Sequence, residues 1–358
     1  MLPAILLKFA ASRSKILTNL IFMWTPIKDF RQRRCKMWSR LVEGIKALFS
    51  RKHSYVPSEE KPKDVEATPV SPPPPPPLKE TVPSVPENVE GQIDYKKWCR
   101  SSMEISGQFE GQGVDWGNPV GNFDDAGLTC GLLGFTWRWN NQPPMILEFV
   151  KTHGVERLKA LMPNTWGYYY DAALQGESKG MKIVSKWSSG SKVKEPYRSE
   201  LNAFWCSEEM KEIQVVKAWE MMGKFAKEKT LKGQEFFGLK EPSFGHFCYW
   251  FDQAVLNGQG KTVPFQRVTA RQVDEAMVWC LTVGGYNKTS IRACARVWDD
   301  QLNVASEDQK VLFYMAYLRA IKSRRDFMAT TMTRRGTLAL GIGTVNEKRF
   351  VLPWQVKR

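Results

Sequence analysis

Histidine is scarce in this chain. Of 358 residues only three are His, namely His53, His153 and His246, and none stands in an HExxH spacing. A metal hydrolase or a Ser-His hydrolase would have few groups to draw on. The seven cysteines (Cys35, Cys99, Cys130, Cys206, Cys248, Cys280, Cys294) are dispersed and form no CxxC pair, so neither a zinc knuckle nor a dithiol redox centre is indicated. They read as buried free thiols, with room for one incidental disulfide. The N-terminal segment lacks a long apolar run: its longest uncharged stretch, Ile16 to Ile27, is twelve residues, against about 20 for a spanning helix. Two phosphate-binding signals also fail. "NGQGKT" (Asn257 to Thr262) has Val255 where a phosphate loop needs its first glycine, and "GIGTVN" after Gly341 lacks the third glycine of a dinucleotide fingerprint. Both read as turns.

What is abundant is positive charge, and it is unevenly placed. The net charge is +15. Residues 1–52 hold twelve Lys or Arg against Asp29 and Glu43, a local +10, leaving +5 for the rest. The body shows no basic stripe interleaved with aromatics, and no specific nucleic-acid partner is expected. Within the basic segment, Trp38, Leu41, Ile45 and Phe49 form a helical stripe with a cationic opposite face. That pattern suits contact with an anionic surface. Equally open is a leader, with Met23 or Met37 as the start. Eleven of the 21 prolines then fall between Pro57 and Pro86, six of them consecutive, as in a stiff spacer. The expected division is a basic amphipathic segment at 1–52, a proline-rich linker at 53–91 and a folded domain at 92–358.

In that domain helical periodicity dominates. Trp98, Ser102, Ile105 and Phe109 share one face of a helix that ends at Glu110. Pro143-Pro144 opens a helix that Gly154 closes. Ser207 caps another, with Val215, Trp219, Met222 and Ala226 inward. Phe244, Phe247, Phe251 and Val255 mark a further helix ending at Gly258, and Ser306 with Gln309 forms a capping box ahead of Val311, Met315, Leu318 and Ile321. Strand-like alternation is limited to "GLTCGLLGF" and "TLALGIG". The expected fold is mainly α, with a small β element near the acidic loop.

That loop carries the chemistry. "FEGQGVDWGNPVGNFDDAGLTCGLLGF" (109–135) places Glu110 at a helix end and Asp124-Asp125 beyond a Gly-, Asn- and Pro-rich stretch. Hydrolysis of a glycosidic bond needs an acid for the leaving oxygen and a second carboxylate on the opposite face. Phe109 beside the first acid is expected to raise its pKa by desolvation. These letters resemble the chitosanases of glycoside hydrolase family 46, in the lysozyme-like superfamily. The resemblance rests on Glu110, Asp115-Trp116, Asp124 and the run Gly127 to Phe135. It continues faintly in "FDQAVLNG" (Phe251 to Gly258) and in "YLRAIKSRRDFM…TRRGTL".

The resemblance implies a two-lobed α+β lysozyme-like domain with the β element beside a catalytic cleft. It also implies an endo-acting, inverting hydrolase of β-1,4-linked aminosugar polymers, with no metal or organic cofactor. Glu110 would be the general acid, Asp124 the general base and Thr129 the residue that orients water. Asp125, Trp116, Trp137, Asp252, Arg319 and Arg334 would contact substrate, with Arg335 as an alternative to Arg334 and Asp125 to Asp124. The chain departs from the pattern in its shorter acid-to-base loop and in Asp125-Ala126, where many members have Gly-Arg. Trp137, Trp139, Trp166, Tyr168, Tyr169 and Tyr170, in loop-like sequence, are candidate sugar platforms. The polysaccharide partner would be chitosan or peptidoglycan, the enzyme a monomer, and its place extracellular or at the cell envelope. A non-catalytic glycan-binding or structural module on the same fold is the other reading.

Overall fold

The computed structural model describes residues 92–110, 113–122, 125–260, 262–282 and 288–355. The expected segments 1–52 and 53–91 lie outside them. The described part is mainly helical, with three short antiparallel hairpins, as the periodicity indicates. No helix among the described residues is long and apolar enough to cross a membrane.

Helix α1 (Tyr95–Phe109) starts where the Asp94 side chain accepts from the Lys96 and Lys97 amides at 3.0 and 3.1 Å, filling two of the donors that a helix N-terminus leaves orphaned. Its buried face includes Trp98, Ser102, Ile105 and Phe109. Two two-residue strands, β1 (Thr129–Cys130) and β2 (Phe135–Thr136), pair Thr129 with Thr136 and Cys130 with Phe135. Four helices follow: α2 (Gln142–His153), α3 (Val155–Leu161), α4 (Trp166–Leu174) and α5 (Gly176–Val184). Hairpin β3 (Ser188–Ser189) and β4 (Lys192–Val193) leads to α6 (Tyr197–Trp205) and α7 (Glu208–Ala218). Ser207 caps α7, its hydroxyl accepting from the Met210 amide. A π-turn at Trp219–Gly223 then leads into α8 (Lys224–Phe237). The last helices are α9 (Phe244–Asn257), α10 (Ala270–Thr282), α11 (Lys288–Leu302), α12 (Glu307–Ala320) and α13 (Met328–Leu340), followed by the hairpin β5 (Ile342–Val345) and β6 (Lys348–Val351).

Two hydrophobic clusters divide the apolar residues. One gathers β1, β2 and α2 to α6 around Phe149, Tyr169, Phe204 and Trp205. The other gathers α1, α9 to α13 and the last hairpin around Phe247, Phe251, Trp298 and Phe313. Leu133 packs against both. Helix α13 is the most enclosed, with every residue from Thr331 to Leu340 buried, packed on α9, α11, α12 and β5.

Three sequence readings need correction. Trp166 to Tyr170 belong to helix α4, not to loops. "TLALGIG" is mostly the end of α13, since the strand starts only at Ile342. "GIGTVN" is therefore largely strand β5, and its turn is Asn346-Glu347, both in the left-handed region (φ 48° and 68°). The six described cysteines are free, five of them buried, and burial pushes the Cys99 thiol up to about 12. They are packing groups at neutral pH.

Gly336 marks how tightly α13 is held. A Cβ there would meet the Trp298 ring at 2.7 and 2.8 Å, and that ring is fixed by its own bond from Nε1 to the Ile342 carbonyl at 2.8 Å. Gly336→Ala is therefore expected to cost about 1–3 kcal/mol, read as a lower midpoint in urea denaturation with an unchanged slope.

A second expectation concerns acid. His246, almost fully buried, meets Asp308 at 2.8 Å and ties the start of α9 to the start of α12. Burial alone would raise the Asp308 carboxyl, but hydrogen bonds from His246 and Ser306 outweigh it and hold it below its usual range. A depressed carboxylate contributes stability above its unfolded value, about 3.9, and loses it as pH falls through the folded one. Asp308→Asn should flatten the acid limb of a stability-versus-pH curve while lowering stability at pH 7.

Candidate functional site

Glu110 closes α1. Its amide donates to the Gly107 carbonyl at 3.0 Å, and its side chain is 54% exposed. Behind it lies Arg334 of α13, 2% exposed, which donates through Nη1 to Glu110 Oε1 and through Nη2 to Asp252 Oδ1 at 2.6 Å. Asp252, on α9, is fully buried and also accepts from the Ser106 hydroxyl at 3.1 Å. The guanidinium stands over the Phe109 ring at 5.4 Å. A buried guanidinium is tolerated only when paired. Burial would lower the Arg334 pKa, but Asp252 and Glu110 raise it above its ordinary value. Arg334 is a fixed positive charge that holds the Glu110 carboxyl from its protein side.

The expectation for Phe109 changes accordingly. Its ring turns inward, edge-on to Phe350 at 4.8 Å, so its contact is with the arginine and the core. Of the two adjacent arginines, Arg334 reaches Glu110. Arg335 is fully buried and donates to Asn257 Oδ1, which Arg319 Nε also approaches at 3.4 Å. Burial holds the Arg335 pKa below the usual arginine value. Asp252 and Arg334, expected to contact substrate, have almost no exposed surface. Their contact is internal, because each neutralises the other.

Asp124 lies outside the described residues, but the frame around it is described. Val120 and Thr129 exchange backbone hydrogen bonds at 2.8 and 2.9 Å, an antiparallel bridge on either side of it. Between them, Asn122 Oδ1 accepts from the Gly127 amide at 3.0 Å. Asp125 sits in the left-handed region (φ 61°), which Asp tolerates better than most residues. Asp115 accepts from the Gly117 and Asn118 amides at 2.9 and 3.1 Å, an Asx turn at the loop's start. Thr129 is half-buried, and the buried hydroxyl without a hydrogen-bond partner among the described residues is that of its strand partner Thr136. Gly131 (φ 84°) admits no Cβ, which would sit 2.7 Å from Gln214 Oε1 and 2.8 Å from the Phe135 ring.

Two buried glutamines frame this loop, and sequence reasoning missed both. Gln214 of α7 accepts from the Leu132 amide at 3.1 Å and donates to the Trp116 and Trp205 carbonyls at 3.3 and 2.9 Å. Gln142 donates to the Leu128 and Phe135 carbonyls at 2.8 and 2.7 Å and accepts from the Tyr169 hydroxyl at 3.1 Å. The one available signal was Gln142 itself, a polar residue set directly before Pro143-Pro144.

The aromatic candidates divide. Trp137 and Tyr169 are fully buried, and Trp116 is 7% exposed beneath Arg100, so none presents a free face to a sugar. Trp139 and Tyr168 are 69% and 61% exposed. Trp166 is half-buried with Lys159 over its ring. A rival acid, Glu104, is half-buried on α1. Its carboxyl is raised by burial, with Arg100 and Lys211 opposing. Among the described residues no group of three or more His, Cys, Asp or Glu is gathered as a metal site would require.

No protein-family model matches this chain, and no curated protein matches it.

The pair Arg334–Asp252 should be costly to break from either side. Arg334→Met leaves the buried Asp252 charge alone and is expected to destabilise by about 3–5 kcal/mol, whereas Asp252→Asn still leaves Arg334 its Glu110 partner and should cost less. The double variant should lose less than the sum, because neither partner is then stranded. Equilibrium denaturation of the four proteins checks this, and strict additivity would remove the coupling.

Proposed function

We propose that the chain is an inverting, endo-acting glycoside hydrolase of β-1,4-linked aminosugar polymers, on a two-lobed lysozyme-like fold. One observation carries the reading: Glu110, Asp252 and Arg334, from the three stretches that resemble the chitosanase family, meet in a single hydrogen-bonded chain. Glu110 and Arg334 are 224 positions apart, Arg334 and Asp252 82. Chance similarity in three separated stretches gives no reason for their side chains to meet.

The chemistry follows from what each group offers. Glu110 is exposed on one side and anchored on the other, as a general acid must be to reach the glycosidic oxygen. Arg334 engages only Oε1, so in this scheme Oε2 carries the proton that is given, and Arg334, which favours the ionised carboxyl, promotes its release and stabilises the carboxylate that remains. Because Asp252 fixes the guanidinium from behind, this stabilisation needs no rearrangement at the moment of transfer. In this scheme Asp124, with Asp125 as alternative, accepts the proton of a water molecule, and the half-buried Thr129 hydroxyl orients that water. Inversion requires roughly 6.5–9.5 Å between the two carboxyls, room for one water.

Replacing the acid while keeping its shape is the direct test. Glu110→Gln should lower release of reducing ends by about 10²–10⁴-fold with unchanged circular dichroism, while Glu104→Gln keeps its turnover. Near-normal activity in Glu110→Gln would sink the assignment. Proton magnetic resonance of the first product should show an α-anomer from a β-linked polymer, and a β-anomer would replace water attack by a retaining route.

A further inference from the structure

The loop that carries Asp124 and Asp125 is bordered by positive charge. Arg138, in the turn after β2, donates its amide to the Ala126 carbonyl at 3.0 Å and its Nη1 to the Asp125 carbonyl at 3.1 Å. Its guanidinium stands 5.9 Å from the centre of the Trp139 ring. The turn is set by the Asn140 amide bonding the Trp137 carbonyl at 2.9 Å, with Asn140 in the left-handed region. It thus displays a 69% exposed indole beside the acidic loop. On the loop's other flank hairpin β3–β4 is bonded to it, Gly121 donating to the Ser191 carbonyl at 2.9 Å and Asn122 to the Ser188 hydroxyl at 3.3 Å. Gly127 abuts Met181 of α5 so closely that a Cβ would collide with it.

These flanking elements are unbalanced in charge. Residues 176–198 contain six Lys or Arg and two Glu, a local +4, whereas the whole of residues 53–358 carries only +5. Lys182, Lys186, Lys192 and Lys194 are exposed, and none pairs with a carboxylate among the described residues. Of the two glutamates, Glu195 is engaged in accepting from the Ser199 amide at 3.1 Å. A polycation such as chitosan would be repelled from this face, while a polyanion would be drawn to it.

We propose that the Arg138–Trp139 turn and the basic face of residues 176–198 form a subsite for a carboxylate-bearing sugar, so that the polymer cut is an acidic, peptidoglycan-type aminosugar polymer. The inference rests on the glycosidase reading above. In it the indole face stacks on a pyranose ring and Arg138, held in plane by the Asp125 carbonyl, offers its remaining N–H groups to the carboxylate. The lysines supply long-range attraction.

The test compares four polymers on the purified full chain: peptidoglycan, the same peptidoglycan with its carboxylates amidated, a neutral N-acetylated chitooligosaccharide, and chitosan. Release of reducing ends should be fastest from untreated peptidoglycan and should fall on amidation. Arg138→Ala should reduce the peptidoglycan-to-neutral ratio of kcat/KM by about tenfold or more, the worth of a charge-assisted hydrogen bond. Because Arg138 also supports the loop, the pair Lys182→Glu with Lys192→Glu provides a second variant. It leaves the turn intact and should reduce the same ratio and its sensitivity to salt. Faster cleavage of chitosan than of peptidoglycan, or no change of ratio in both variants, would overturn the proposal and leave the glycosidase reading standing. So would tighter retention of single-stranded DNA than of peptidoglycan at equal salt, which would give the basic face to nucleic acid. If no polymer is cut and Glu110→Gln matches the unaltered protein, the glycosidase reading itself fails.

Discussion

Arg334 is a cation in a place where water cannot reach it, and its neutralisation governs the arrangement around it. Asp252 takes one face of the guanidinium at 2.6 Å and Glu110 another, while Phe109 lies beneath. Desolvating a guanidinium and a carboxylate costs several kcal/mol each, and because Asp252 Oδ2 and Arg334 Nε have no hydrogen-bond partner among the described residues, close geometry at the remaining contacts must offset it. Three elements must therefore arrive together: the end of α1, the middle of α9 and the middle of α13. A slip of one residue in α13 would turn Arg334 by about 100° around the helix axis and present its neighbour instead. Arg335, the residue such a slip would substitute, is already committed to Asn257. The position of Glu110 is thus set from the core outward.

The acidic loop is fixed by different means. Gln214 and Gln142 bind carbonyls and an amide on both sides of it, and neither carries a charge. An amide side chain donates and accepts at once, so it can satisfy several buried backbone groups without the desolvation cost of an ion. Charges placed there would compete with Asp125 and its neighbour for the same field. Neutral amides hold the loop while leaving its electrostatics to the carboxylates and to whatever approaches from solvent.

Much of the helical layout was legible because its signals are local. The stripe Trp98–Phe109, the caps at Ser207 and Ser306 and the stop at Gly154 depend on neighbours a few residues away. Helix α4 was missed since its three consecutive tyrosines hide which one turns inward: Tyr169 does, Tyr168 does not. The last hairpin was missed since Asn346-Glu347 carries no glycine, the usual mark of two left-handed turn residues. Nor could letters alone decide between Arg334 and Arg335, which are equivalent in sequence and differ only in direction. Candidate residues could be named from their types, but which of them face solvent could not. Asp252 and Trp137 read as surface contacts and are buried, because burial depends on what distant elements bring over a residue.

Charge averaged over the body concealed its distribution in the same way. Residues 53–358 are nearly balanced, yet residues 176–198, bonded to the acidic loop, hold a local +4, and residues 319–335 a local +5 that includes the buried Arg334 and Arg335. Other exposed lysines are matched in local pairs, such as Lys232 with Glu228 and Lys159 with Glu156. Such exposed pairs contribute little to stability, but they cancel the field beyond a few ångströms. Around residues 176–198 the lysines enter no ion pair among the described residues, so their field reaches outward by about a Debye length, 8–10 Å at ordinary ionic strength. On the reading proposed above, that field would draw a polyanionic chain toward the loop, where the exposed Asp125 carboxylate would oppose the close approach of the chain's own carboxylates.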